Sequence, residues 1–421
     1  MRRPRPPEPG PRAPPALRLR ARGRRSTPVV EVNLQIAVFT GHFHPHVGGV
    51  ERYTRAIFSR LVRRGHEVAL LTSAAGGGPE RETVDGIEVV RLPVLPLFSA
   101  RFPVPLPGPR LLGAVARLRR FRPEAVVTNT RFFPSSWLGT WFARAGALPH
   151  LHVEHGSGHV RLGHPMADRL AAAVDHGPGR WVVRRASRCV GVSGAVVDFL
   201  ARLGRPDAGL LSNGVDLPEA APGAGRDALR ARLGVGADQL LAVYAGRVTA
   251  DKGVLVLLDA LARLPALHLV VAGDGEALEE LRRRAARQPR IHLLGQVAPP
   301  EVLRLLAAAD LFVHPSCCAE GLPSSILEAA AAGVAIVATP QGGTVEVIRS
   351  PEHGLLVPPG DAAALSDAMS RLVADPALRA RLGAAARRLV VERFGWDRIA
   401  EAAEGELLAL VRARPVLPAP R

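Results

Sequence analysis

Lysine is almost missing from this chain of 421 residues: of its 55 basic residues, Lys252 alone is not an arginine. One lysine has to fall somewhere by chance, so its surroundings carry the weight. Cysteine is scarce as well. Cys189, Cys317 and Cys318 offer no metal-ligand spacing, and the adjacent pair is not placed for a structural disulfide, a pattern that fits a reducing compartment. Aromatic residues make up 4% of a chain that is 47% apolar, so alanine, leucine and valine must fill the cores, as in α/β proteins. No apolar run approaches a membrane span. The densest, Ala329 to Ala338, is broken by Gly333 and reads as a helix end running into a strand. No Gly-x-Gly-x-x-Gly opens a helix after a strand, which counts against a dinucleotide-dependent oxidoreductase. No Asp-x-Asp triplet occurs, so no divalent metal bridging a diphosphate is called for.

The net charge of +17 is unevenly held. Residues 1–30 contain nine arginines against one glutamate, among many prolines, with no apolar pattern to fold around. Residues 1–33 therefore read as a disordered, dispensable Arg/Pro-rich tail. They lack the apolar centre of a secretory signal. With much of the charge in a tail and no recognition motif, nucleic acid is not an expected partner.

From Leu34 onward, short apolar runs alternate with helical patterns. Strands are expected at Leu34 to Thr40, Glu67 to Thr72, Ile87 to Leu92, Ala125 to Thr128, His150 to Glu154 and Arg188 to Val192. A second series is expected at Leu240 to Ala245, Leu267 to Ala272, Arg290 to Leu294, Leu311 to His314, Val334 to Ala338 and Gly354 to Val357. Such alternation implies parallel sheets with crossover helices. The Pro/Gly/Ala-rich stretch 217–225 reads as a hinge between domains over 34–216 and 226–395, with a C-terminal helix over 396–412 in position to return to the first. The expected fold is α/β: two Rossmann-like doubly wound domains facing a central cleft, with ligands beyond the carboxyl ends of the strands.

Two stretches carry chemistry. Lys252 follows the apolar run Leu240 to Ala245 and a glycine turn bearing Arg247, and it opens a helical pattern, a setting suited to phosphate. Further on, Glu320-Gly-Leu-Pro-Ser-Ser-Ile-Leu-Glu328 places Pro323 at a helix start, where Ser324 and Ser325 are expected to help cap it. Glu320 then lies before the helix and Glu328 on it. The carboxylates do not share a face, so a division of labour fits better than an acid/base pair. The amides from Gly321 to Ser325 can receive negative charge at the helix start. His42, His44 and His46 alternate along a loop, which is too weak a pattern to expect a metal there.

Taken in order, these pieces resemble the retaining glycosyltransferases of family 4, with the GT-B architecture. The resemblance runs over about residues 34 to 400. Pro45 with Gly48-Gly49, Gly65-His66-Glu67-Val68, Val192-Ser193 and Asn213-Gly-Val-Asp216 look like the first half of that family. Gly246-Arg247 with Lys252-Gly253, Gly273-Asp-Gly275, Glu320 through Glu328, Gly342-Gly343, Glu346 and Gly354 to Asp361 look like the second. The resemblance implies that Arg247 and Lys252 bind the donor diphosphate and stabilise the leaving nucleotide. It implies that Glu320 contacts donor-sugar hydroxyls and that Glu328 holds the nucleotide ribose. Gly48 and Gly49 would let the first loop approach the phosphates. Gly321, Leu322, Pro323 and Ser324 would line the donor site, and His155 would lie near the sugar, with His152 and His159 as competitors for that place.

The implied activity is metal-independent transfer of a hexosyl group from a GDP- or UDP-sugar to a glycan or lipid-linked acceptor, with the nucleotide sugar as substrate and no cofactor. A cytoplasmic protein is implied, peripheral at the inner membrane face, since the arginines at 110, 117, 119, 120 and 122 form a basic helical segment that suits an anionic surface. A non-catalytic sugar-nucleotide-binding protein is the main alternative.

Overall fold

The computed structural model describes residues 33–46, 48–97, 102–159, 165–217 and 226–413. The tail and most of the hinge stretch, 218–225, lie outside the described residues. In the first half the elements run β1 (Gln35–Phe39), α1 (Gly49–Arg63), β2 (Glu67–Ser73), β3 (Arg81–Val84), β4 (Ile87–Leu92), β5 (Val94–Leu97) and β6 (Phe102–Pro105). They continue through α2 (Pro109–Phe121), β7 (Ala125–Asn129), α3 (Pro134–Ala145), β8 (His150–Glu154), α4 (Pro165–Val174), α5 (Arg180–Arg185), β9 (Arg188–Gly191), α6 (Gly194–Arg202) and β10 (Gly209–Leu210). The second half opens with α7 (Arg226–Arg232), β11 (Leu240–Ala245), α8 (Val254–Leu261), β12 (Leu267–Ala272), α9 (Leu278–Ala285), β13 (Ile291–Gly295) and α10 (Pro299–Ala308). It closes with β14 (Leu311–His314), α11 (Ser324–Ala332), β15 (Ala335–Ala338), α12 (Thr344–Val347), β16 (Leu355–Leu356), α13 (Ala362–Ala374), α14 (Pro376–Arg393) and α15 (Trp396–Arg412).

Two sheets result. The first has the order β10-β9-β8-β7-β1-β2-β4-β3, parallel except for β3, which pairs antiparallel with β4. The second, β13-β12-β11-β14-β15-β16, is parallel throughout. Each strand order reverses once, between β1 and β7 and between β11 and β14. The loops after β1 and β11 leave the sheets at these reversals, where open α/β sheets bind ligands. Gly48 and Gly49 lie on one loop, Arg247 and Lys252 on the other. The expected two-Rossmann GT-B architecture is what the chain adopts.

Period-2 packing explains why almost unbroken apolar runs make these strands. In β1, Ile36 and Val38 join one core cluster while Ala37 and Phe39 join the cluster on the opposite face. In β11, Ala242 and Tyr244 face one way, and Leu241, Val243 and Ala245 the other. The sequence reading omits β3, the separate β5–β6 hairpin and the two-residue β10, because a polar Arg-Glu-Thr-Val strand, two proline-bearing strands and a Gly-Leu pair lack that signature.

The last helix packs on the first sheet. Trp396, Ile399, Ala403 and Leu407 of α15 are buried in the same cluster as Tyr53, Ile57 and Leu61 of α1. Arg60 bonds Asp397 at 2.7 Å and Asp216 at 2.9 Å. His66 accepts from the Leu34 amide at Nδ1 (3.0 Å), which leaves its Nε2 hydrogen for Glu404 at 2.8 Å. The two chain crossings between the halves also bond each other, the Val215 amide donating to the Phe394 carbonyl at 2.8 Å and the Trp396 amide to the Val215 carbonyl at 3.3 Å.

Trp396 closes this seam. Truncation to alanine should cost about 3–5 kcal/mol, read as a lower denaturant midpoint at unchanged slope; an unaltered midpoint would show that the seam contributes no stability.

Candidate active site

Strand ends supply the site. A cavity of about 390 Å³ lies between the halves, lined by Gly48, Gly49 and Arg52 on one side and by Arg247, Lys252, Glu320, Pro323, Ser324, Ser325 and Glu328 on the other. Its remaining wall comes from the ends of β11 to β14 and the start of α10, including Tyr244, Asp274, Gln296, Val297, Pro299 and His314. The turns after β11 and β12 meet so closely that a Cβ on Gly273 would stand 1.8 Å from the Gly246 carbonyl oxygen, so glycine is required there.

One charge cluster dominates the cavity. Lys252 Nζ lies 2.9 Å from Glu320 Oε1, and both side chains are nearly buried. His314 Nε2 meets the same oxygen at 3.0 Å. Burial works against the Glu320 carboxylate, but the hydrogen bond with His314 and the charge of Lys252 outweigh it, holding its pKa well below the usual range. Arg247 is exposed on the rim with no acidic partner among the described residues, while its carbonyl accepts from the Tyr244 hydroxyl at 2.5 Å. One fixed and one uncommitted cation thus face a cavity large enough for a small anion-bearing ligand.

A second carboxylate stands apart. Glu328, in the second turn of α11, is nearly buried, and burial raises its pKa against the opposing charge of Arg52. Arg52, from α1 of the other half, donates to Glu328 Oε1. Sequence reasoning missed Arg52. No local pattern links residues so far apart in the chain.

The expected capping of α11 by serine is not found. Pro323 itself occupies the cap position, Ser324 and Ser325 are already helical, and no side chain caps the helix. Ser324 Oγ instead accepts from Asn213 Nδ2 at 3.4 Å, and that amide also donates to the Leu322 carbonyl at 2.9 Å. Asn213 thereby ties the first half to the start of α11.

The predicted residues Gly321, Leu322 and His155 do not line the cavity. Leu322 is buried in the core of the second half. Gly321 lies where the halves touch: a Cβ there would be 2.2 Å from the His155 carbonyl oxygen. The neighbouring Ser157 hydroxyl donates to the Glu320 carbonyl. A buried network builds this loop. Glu154 accepts from the amides of Arg131, His155 and Gly156, and Arg131 bridges Glu154 at 3.1 Å to Asp175 at 3.0 Å. His152 also belongs to this network, 3.4 Å from Glu154, and His159 reaches Asp175 at 2.8 Å, so neither competitor is free for the cavity. His155 packs edge-on against Tyr53 and meets Asn129 Oδ1 at 3.2 Å through Nε2. In the β1–α1 loop, His42 stacks on His46, and His46 pairs with Glu51 at 3.3 Å.

A larger cavity of about 550 Å³ adjoins the first across Arg52, Pro299, Ser324 and Glu328, and it extends along α1 to Asp216 and Trp396.

Comparison with known proteins matches both halves. The family model described as "Glycosyl transferases group 1" matches residues 225–389, and "Glycosyl transferase 4-like domain" matches residues 48–214. The chain is 31% identical over 399 residues to D-inositol 3-phosphate glycosyltransferase of Xylanimonas cellulosilytica, covering 87% of this chain and 93% of that protein. It is 30% identical over 384 residues to GDP-mannose-dependent alpha-(1-6)-phosphatidylinositol monomannoside mannosyltransferase of Mycolicibacterium smegmatis, covering 85% and 94%. Among solved structures it is similar to sucrose-phosphate synthase from Thermosynechococcus elongatus, with a TM-score of 0.75, 25% identity and coverage of 91% and 100%.

Burial pulls the His155 pKa down to about 4, so its ring is neutral at pH 7. Proton NMR of the imidazole should show a midpoint near that value, and transfer should show no His155 titration between pH 6 and 8. A midpoint near 6.5 would mean that the ring is open to water.

Proposed function

Given that the chain belongs to the group 1 glycosyltransferases of family 4, with the GT-B architecture, we propose that it moves a hexosyl group from a GDP- or UDP-sugar to a glycan or lipid-linked acceptor, with retention at the anomeric carbon and without a metal ion or other cofactor. What carries the reading is the pairing of Lys252 with Glu320 beside the uncommitted Arg247, in a cavity at the strand reversal. The mannosyltransferase relative, named as GDP-mannose-dependent, supports a nucleotide-sugar donor.

The chemistry follows from charge. As the glycosidic bond to the phosphate breaks, positive charge develops at the anomeric carbon and negative charge on the departing β-phosphate. Arg247 and Lys252 would bind that phosphate more tightly as its charge grows, which lowers the barrier instead of merely holding the donor. Gly48 and Gly49 would bring the first loop up to the same diphosphate. Glu320 stays ionised and so accepts hydrogen bonds from donor-sugar hydroxyls, while Glu328 would take those of the ribose. Ser324 and Pro323 would border the donor at the start of α11. Gly321 would act by letting the His155 loop close over the sugar, with Leu322 anchoring that segment in the core. The acceptor hydroxyl would attack from the face the nucleotide leaves, its oxygen bonding to the anomeric carbon as the carbon–phosphate oxygen bond breaks and its proton passing to a phosphate oxygen.

Lys252→Ala should lower kcat by about a hundredfold or more and also lower the melting temperature, because Glu320 is left almost buried without its cation. Lys252→Arg, which keeps the charge, should also be impaired in turnover, because a planar fork does not fit where a compact ammonium reaches both Glu320 and phosphate. Activity should survive EDTA. Wild-type turnover by the arginine variant, or loss of turnover on chelation, would refute this assignment of the phosphate site.

We place the protein in the cytoplasm, peripheral at the inner membrane face. No helix among the described residues is long and apolar enough to cross a membrane. On α2, Arg119 and Arg120 are exposed two turns on from Leu112, which is 70% exposed, and Arg119 stacks over the exposed Trp141. Arg122 is exposed just past the helix end, whereas Arg110 and Arg117 have Glu80 and Glu88 as acidic neighbours. A cationic face with an apolar contact suits anionic lipid. Co-flotation with phosphatidylglycerol vesicles should be lost in high salt and in an Arg119→Glu/Arg120→Glu variant; flotation indifferent to both would remove this face from the reading.

A further inference from the structure

We propose that Arg52, carried by the first half of the protein, is a positioning residue for ribose recognition: it holds the Glu328 carboxylate of the second half as a hydrogen-bond acceptor through a charge-assisted bond across the cleft. This rests on the ribose role given to Glu328 above.

A carboxylate that receives two ribose hydroxyls must act only as an acceptor, which requires its charge. Glu328 is poorly placed to keep that charge unaided, because its side chain is about nine-tenths buried and burial pushes its pKa up. In an open cleft water would solvate it. Here the guanidinium of Arg52 stands where that water would be.

Apart from Arg247 and His44, which make no bond to Glu328, the other charged groups lining the two cavities are committed elsewhere, as His314 is to Glu320, or carry the wrong sign. On α1, Arg55 bonds Asp85 at 2.6 Å, and Arg60 holds Asp216 and Asp397. Across the donor cavity Lys252 is engaged by Glu320 at 2.9 Å. His46, from the loop before α1, is paired with Glu51. Asp216 from the hinge raises the Glu328 pKa further, and Asp274 on the far wall is also acidic. Arg247 lies on the opposite rim with the diphosphate as its proposed ligand. Among the described residues, Arg52 alone bonds the Glu328 carboxylate. It also lies one turn after Gly48 and Gly49, so the loop that would approach the phosphates and the cation that charges the ribose carboxylate move as one piece. Donor recognition by the second half is then complete only when the first half has closed on it.

The test is steady-state kinetics between pH 6 and 9.5 for Arg52→Met and Arg52→Lys, using the preferred nucleotide sugar and its 2′-deoxy and 3′-deoxy analogues. In the methionine variant Glu328 takes up a proton at higher pH than in the wild type. Donor KM should therefore rise about tenfold or more at pH 6, the scale of a hydrogen bond to a charged group, and fall back toward wild type as pH rises. Saturated kcat should change little. Discrimination against the deoxy donors should vanish at low pH and return at high pH, and Arg52→Lys should retain most of it. A KM increase that is the same at every pH and equal for deoxy donors would overturn the inference and assign Arg52 to the diphosphate. Unchanged kinetics at an unchanged melting temperature would overturn it too. Glu328→Gln is the separate control: if it leaves donor KM and deoxy discrimination intact, the ribose role of Glu328 fails first.

Discussion

The Glu320 carboxylate keeps its negative charge although its side chain is almost buried, and the site is arranged around that charge. Lys252 and His314 converge on one of its oxygens, which fixes the 250–252 turn against the end of β14. The backbone follows. Gly253 starts α8 in a left-handed conformation under the Pro315 carbonyl, where any Cβ would be 1.9 Å from that oxygen. The Cys317 amide donates to the Asp251 carbonyl at 2.8 Å. The lysine turn and the glutamate loop are one unit, and a buried pair of this kind is favourable only while both partners stay.

The same loop is where the halves meet. Its Glu320 carbonyl accepts from Ser157, and its Gly321 carbonyl accepts from the Gly343 amide at 2.5 Å. Nearby, Glu346 on α12 accepts from the Gly194 amide at 2.6 Å, placing a carboxylate at the N-terminus of α6 across the cleft. Asn213 and Arg52 add to these contacts. Most of these contacts are single hydrogen bonds between small or backbone groups instead of an apolar interface. Such a junction can part without exposing a core, as a cleft that must admit and release its ligand requires.

Legibility in the sequence tracked how local each cause was. The twelve expected strands could be read because most are apolar runs buried on both faces, a pattern that flanking helices do not share. The β5–β6 hairpin could not, because Pro96, Pro103 and Pro105 contradict strand propensity and only pairing with each other keeps those residues extended. Lys252, Arg247, Glu320 and Glu328 were legible because their residue types and spacing hold within one short segment each. Their partners His314 and Arg52 were not. His314 read only as the last residue of a strand, and Arg52 as one more arginine on a helix. The serine caps were misjudged because Pro323, with its extended backbone, already ends the loop, and Ser324 serves Asn213.

The amino-acid order by itself determined two series of alternating strands and helices and which residues the loops between them carry, because each depends on periodicity and turn chemistry within a few residues. Only tertiary structure decided that Glu320 is charged by Lys252 and His314, that Glu328 depends on an arginine from the opposite half, and that Gly321 and His155 meet as an interdomain contact instead of lining the cavity. Those outcomes depend on burial and on distances between segments far apart in the chain, and no local pattern encodes either.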